Sequence, residues 1–258
     1  MKVLAVANRK GGVGKTTVAA NLANEARRMG HLVVLVDMDP QCDLNKTYLR
    51  GGHDGPTVLD VLREECSAED ACVQLRENLY IIPGSDRLEH FGLKRSEGLL
   101  RQALGSDGLG EVDLVIIDTP PSVNEATLAA YTAADHVLLV TKPESFSLDN
   151  TDGMLETVRH VQATMNGGLA VVGIAVNMVD GRRGLAKALH GQLRRAYGGL
   201  LLNSYISYDA AVPASQHKGL PVRELHWRSR AVGQFRDLSL EVLERMGMLG
   251  GDGQAAGE

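Results

Sequence analysis

The sequence has little cysteine: among 258 residues only Cys42, Cys66 and Cys72. Three thiols cannot build a disulfide framework, and their spacings fit no zinc site. No apolar run approaches the roughly 20 residues that span a bilayer. The first residues, MKVLAVANRKGG, turn polar too soon for a secretory signal. No Pro/Ser-rich linker divides the chain, and no internal repeat is visible. These absences point to a soluble protein of a reducing cytoplasm. They also predict one domain over residues 1–249 and a flexible tail over 250–258, GGDGQAAGE.

A strong charge of either sign is missing too, since the formal net charge is −5. That alone argues against a nucleic-acid binder. The distribution argues otherwise: residues 182–236 hold ten Lys/Arg against two acids, Asp209 and Glu224. A chain acidic overall can still carry a local basic surface.

Hydrophobic residues at 44% and charged residues at 23% give an ordinary globular balance. Short Val/Ile/Leu runs predict strands at Val3–Ala7, Leu32–Asp37, Leu79–Ile82, Leu114–Asp118, His136–Thr141 and Ala170–Asn177. Near-continuous apolar runs suit parallel strands covered on both faces. Helical periodicity predicts Lys15–Met29, Asn124–Tyr131, Asn150–Met165, Leu185–Tyr197 and Ser229–Met246. The alternation implies an α/β fold, a mostly parallel, multiply wound sheet with helices on both faces.

Between the first strand and the first helix stands Lys10-Gly11-Gly12-Val13-Gly14-Lys15-Thr16-Thr17. Glycines let successive backbone N–H groups turn inward around phosphate oxygens, and the helix N-terminus adds its positive dipole end. Lys15 is placed to neutralise β- and γ-phosphates, and the Thr16 hydroxyl to ligate Mg²⁺. The usual GxxxxGK[ST] pattern is altered: its first glycine falls on Arg9, and Lys10 is an additional cation. Two acidic stations follow at predicted strand ends, Val36-Asp37-Met38-Asp39-Pro40-Gln41 and Ile116-Ile117-Asp118-Thr119-Pro120-Pro121. The C-terminal edge of a parallel sheet is where open α/β folds bind ligands. Asp118 is positioned as the Walker B carboxylate and Asp39 to orient attacking water, so Thr16, Asp39 and Asp118 form the candidate metal set. Asn177-Met178-Val179-Asp180 comes near the guanine motif NKxD, but Met178 stands where that motif has lysine.

KGGVGKTT, DMDPQ and VIIDTPPS in this order, followed by ADHVLLVTKPESFSL and WRSRAVGQF, resemble the ParA/MinD family of deviant-Walker P-loop ATPases, and its ParA branch more closely. The resemblance covers nearly the whole chain. It implies an ATP- and Mg²⁺-dependent ATPase that forms a nucleotide-sandwich homodimer. Lys10 would reach across to the partner's nucleotide, Asp39 would be needed for hydrolysis, and Asn177 would help hold adenine. It also implies nonspecific binding of double-stranded DNA, stimulation by a cargo-bound, ParB-like protein, and a cytoplasmic, nucleoid-associated location. The output would be segregation or positioning of a plasmid, chromosome region or other cargo. Candidate DNA contacts are Arg182, Arg183, Lys187, Arg194, Arg195, Arg228 and Arg230; Arg183, Lys187, His190 and Arg194 share one helical face. Two alternatives share the fold: a MinD-like membrane-associated ATPase and a small-molecule ligase. The membrane form needs a basic amphipathic C-terminal helix. Here Val232, Phe235, Leu238, Val242 and Met246 form an apolar stripe suited to docking, and no Lys/Arg follows Met246. No membrane partner is therefore expected.

Overall fold

The computed structural model describes residues 1–50, 52–90, 98–105, 109–144, 147–180 and 184–249, with residues 90 and 184–187 through their backbone alone. The expected tail, 250–258, lies outside the described residues, as do Arg182 and Arg183 and the side chain of Lys187.

Eight strands form one sheet: β1 Lys2–Ala7, β2 Val33–Asp37, β3 Val73–Arg76, β4 Leu79–Ile82, β5 Leu114–Asp118, β6 His136–Thr141, β7 Ala170–Val179 and β8 Leu201–Ser207, in the order β3-β4-β2-β5-β1-β6-β7-β8. Every neighbouring pair is parallel except β3 with β4. Both faces are covered, so alternate residues of one strand enter different cores. Leu4 and Val6 pack on one side and Val3, Ala5 and Ala7 on the other. On β5, Leu114 and Ile116 likewise oppose Val115 and Ile117. This is why these strands read as unbroken apolar runs.

The helices are α1 Lys15–Arg28, α2 Asp43–Tyr48, α3 Val58–Leu62, α4 Leu99–Gly105, α5 Glu125–Ala133, α6 Ser147–Thr164, α7 Gly184–Tyr197, α8 Ala211–His217, α9 Val222–Leu225 and α10 Arg230–Arg245. On α10, Val232, Phe235, Leu238, Val242 and Leu243 are buried in the layer that also holds Val18, Leu22 and Ala26 of α1. The apolar stripe expected of a docked terminal helix is thus inside the core. Among the described residues, no helix is long and apolar enough to cross a membrane.

Two strands escaped the sequence pattern. β3 is a four-residue edge strand paired antiparallel, and its residues alternate rather than run apolar. β8, the opposite edge, keeps Leu201, Leu202 and Ile206 buried but exposes Asn203 and Tyr205. Its outer backbone is closed by α10: Glu241 accepts from the N–H groups of Asn203 (2.9 Å) and Ser204 (2.8 Å), and Gln234 from that of Ser207 (3.0 Å). An edge closed in this way offers no template for another strand. Cys66 and Cys72 are half-buried and pack against the core.

Candidate functional site

β1 turns into the loop 8–14, whose sharpest bend is Gly14, at φ +89°. A side chain there would be strained by the positive φ and would collide with the Asn177 amide. That amide donates to the Val13 carbonyl at 2.9 Å, across 164 residues of sequence, and its oxygen accepts from the Met178 N–H. Asn177, expected beside adenine, therefore sits buried at the end of β7 and ties down the phosphate-loop backbone. Thr17 is fixed as well, its hydroxyl accepting from Gln216 of α8 at 2.6 Å.

Lys15, at the first turn of α1, is only 6% exposed. Burial lowers its pKa, and the nearby Asp118, Asp39 and Asp43 oppose that shift. The buried ammonium is thus held among carboxylates at the edge of the sheet. β2 and β5 run side by side with Asp37 opposite Asp118. Asp37 is sealed: its oxygens accept from the backbone N–H groups of Asp39 (3.1 Å) and Asn45 (3.4 Å). Burial, with Asp118 beside it, holds its carboxyl well above the usual range. Gly84 approaches so closely that a Cβ would stand 2.9 Å from the Asp37 carbonyl oxygen. Asp37 shapes the turn that carries Asp39.

Asp39 accepts from the Gln41 N–H at 3.0 Å, which curls the chain into α2. Burial raises its pKa, with Lys15 acting against the rise. Asp118 is fully buried, and its carboxylate receives no backbone N–H group, only the neighbouring Thr16 hydroxyl. Burial pushes its pKa to about 7, opposed by the neighbouring Thr16 hydroxyl and Lys15 ammonium. A buried carboxylate with so few donors carries a large desolvation cost unless a cation answers it. Thr16, Asp118 and Asp39 therefore fit a hard cation. Among the described residues, no group of three or more His, Cys, Asp or Glu could hold one alone. That suits Mg²⁺, which keeps waters and takes phosphate oxygens with one or two protein ligands.

The loop after β5 closes over this edge. Thr119 donates its hydroxyl to the Val6 carbonyl at 3.0 Å, and a Cβ on Gly11 would lie 3.8 Å from the Cβ of Pro121. Lys10 points elsewhere. Its N–H is held by Asn8 at 2.7 Å, and its ammonium pairs with Glu144, a residue the motif reading quoted but gave no role.

The family described as an AAA domain matches residues 1–171. The chromosome-partitioning ATPase Soj of Thermus thermophilus is 34% identical over 94% of this chain and 96% of that protein. The chain belongs to the Soj/ParA family of P-loop ATPases. The chromosome partitioning protein ParA of Caulobacter vibrioides is 31% identical over 95% of each chain. A solved cobyrinic acid a,c-diamide synthase from Mycobacterium smegmatis, with bound ADP and magnesium, is 27% identical over 95% of each chain, with a TM-score of 0.80.

The expected DNA contacts of this Soj/ParA chain are scattered in character. Arg195 of α7 and Arg228 are exposed, the latter with its guanidinium 4.4 Å from the Trp227 ring centroid. Arg230 is exposed but leans on Asp209 (3.6 Å) and the Tyr208 carbonyl (2.6 Å). Arg194 is committed to the fold: it donates to the carbonyls of Leu201 and Leu202, each at 2.9 Å.

Proposed function

We propose that this chain is a positioning ATPase that switches between a monomer and an ATP-sandwich homodimer. The observation that carries the reading is the fully buried Asp118 carboxylate, without a backbone donor, beside Lys15 and Thr16. These residues form a cradle suited to phosphate and a hard cation. ATP enters with its phosphates in the loop 10–16, where Lys15 and the backbone N–H groups neutralise them. Thr16 and Asp118, with Asp39 nearby, would hold Mg²⁺, which when bound would supply charge neutralisation to the transferring phosphoryl group. Asp39 holds the attacking water. Its carbonyl and carboxylate are set by the turn that Asp37 braces, so a change of nucleotide at Asp39 is felt directly in α2.

Lys10 completes the partner's site, and the dimer presents a basic surface that binds double-stranded DNA without sequence preference. A cargo-bound, ParB-like protein stimulates hydrolysis and releases the DNA, in a cytoplasmic, nucleoid-associated cycle that segregates or positions the cargo. The burial of the α10 apolar face supports DNA over a lipid surface as the platform. The likeness to the diamide synthase favours a second reading, ATP-dependent activation of a small-molecule carboxylate.

The deciding experiment uses the full chain with Asp39→Ala. This variant should form dimers with Mg-ATP, fail to hydrolyse it, and bind random-sequence duplex DNA with strong salt dependence; ADP should support neither dimer nor DNA binding. Normal turnover in the variant would remove Asp39 from its role. Dimers without DNA binding would favour the small-molecule reading.

A further inference from the structure

The family reading gives Lys10 a destination in the other subunit. The structure gives it a different partner. Its ammonium lies on Glu144 Oε2 at 2.5 Å, and Lys142 takes the second oxygen, Oε1, at 2.6 Å. The three side chains surround a small pocket with Asn8, Val13, Ser147 and Asn150. The backbone on both sides is held. Asn8 accepts from the Lys10 N–H and donates to the Val140 carbonyl. The Glu144 N–H donates to the Lys142 carbonyl at 2.9 Å, and the Ser147 N–H to the Glu144 carbonyl at 3.1 Å, at the start of α6. What can move is the Lys10 side chain.

We infer that Glu144 is the positioning residue for Lys10: it holds the lysine inside its own subunit and sets how readily that cation becomes available to a second copy's nucleotide. This inference rests on the proposed sandwich dimer for its consequence, but the hold itself does not depend on it. Two features make the contact a switch rather than a lock. Lys10 and Glu144 are each 41% exposed, and an ion pair this open shifts an equilibrium only about two- to fivefold. A triphosphate, carrying several charges, outcompetes a single carboxylate. The second feature is Lys142, only 22% exposed. When Lys10 leaves, Lys142 still answers Glu144, so departure strands no unpaired charge. The two lysines together hold the Glu144 carboxyl below the usual range, which keeps it an anion and a competent counter-ion.

Two measurements on the full chain test this. The first needs no dimer. Without nucleotide, acylation of Lys10 by N-hydroxysuccinimide acetate, followed by mass spectrometry against the exposed Lys218, should be about two- to fivefold faster in Glu144→Gln. An unchanged rate overturns the hold. The second measures Mg-ATP-driven dimerisation in the Asp39→Ala background. Glu144→Gln should lower the protein concentration for half-dimerisation about two- to fivefold, and Lys142→Gln should raise it. Neither change should appear when Lys10→Gln is also present. Weaker dimers in Glu144→Gln, or the same gain without Lys10, would overturn the inference. Absence of any ATP-dependent dimer in the parent would defeat the sandwich reading instead, leaving the acylation rates to decide the role of Glu144.

Discussion

Asp37 and Asp118 face each other in register across β2 and β5, and their carboxylates have opposite surroundings. Asp37 receives two backbone N–H groups, while Asp118, equally buried, receives none. Burial raises both pKa values, and the charge of Asp118 adds to the rise at Asp37. Asp118 also has the Thr16 hydroxyl and the Lys15 ammonium beside it, the turn proposed to take phosphate and cation. The division of labour follows from hydrogen bonding: the carboxylate held by the backbone shapes the turn, and the one without backbone donors waits for charge.

Asp118→Asn should stabilise the nucleotide-free fold in a pH-dependent way. Burial raises its folded pKa to about 7, well above the ordinary aspartate value of about 4. The native chain therefore binds the extra proton. The stability this group contributes is fully present below about pH 4 and lost as pH rises through 7. The asparagine variant escapes that loss. It should unfold about 1–3 kcal/mol harder than the parent at pH 8, a gain of several degrees, and show almost no advantage at pH 4. The same variant should lose Mg²⁺-dependent ATP turnover. Parallel stability–pH curves for the two proteins would show that Asp118 does not titrate as its burial requires.

How much of this was visible beforehand differs by element. The phosphate loop, Asp39 and Asp118 are legible because phosphate binding needs glycine, lysine and threonine at fixed spacing, and the sheet edge needs a carboxylate after a buried run. β3 and β8 were not, because edge strands bury one face or less and lack the unbroken apolar signature. The Lys10–Glu144 contact spans 134 residues and follows from β1 pairing with β6, which periodicity does not reveal. Arg194 looked like its neighbours on one basic face. Only the fold distinguishes it, by bringing β8 carbonyls against its guanidinium.

Asn177→Ala separates two roles for one side chain. As an anchor, Asn177 satisfies the buried Val13 carbonyl and packs against Gly14. Its removal should then cost about 1–3 kcal/mol of stability even without nucleotide, the usual penalty for an orphaned buried acceptor. Thermal or denaturant unfolding of the nucleotide-free chain reads this directly. Gly14→Ala should cost a similar amount, through its positive φ and the clash with the same amide. A chain that unfolds normally without nucleotide but binds ATP weakly would instead assign Asn177 to the adenine alone.

Arg194 and Arg195 are adjacent and equally charged, yet they should fail in different assays. Arg194 closes the turn between α7 and β8 by donating to Leu201 and Leu202 carbonyls, whereas Arg195 is exposed. Arg194→Ala should therefore lower stability by about 1–3 kcal/mol, because carbonyls it covers lose their donor. Any loss of DNA binding would accompany that instability. Arg195→Ala should leave unfolding unchanged within about 0.5 kcal/mol, as for a surface substitution. If α7 faces the duplex, its effect should be confined to DNA: weaker ATP-dependent binding, with the slope of log K against log salt reduced by about one. A salt slope untouched by Arg195→Ala would move the DNA surface away from α7, leaving exposed Arg228 as the next residue to substitute. Because Arg195 carries no packing role, a change in slope there reports phosphate contact rather than damage to the fold.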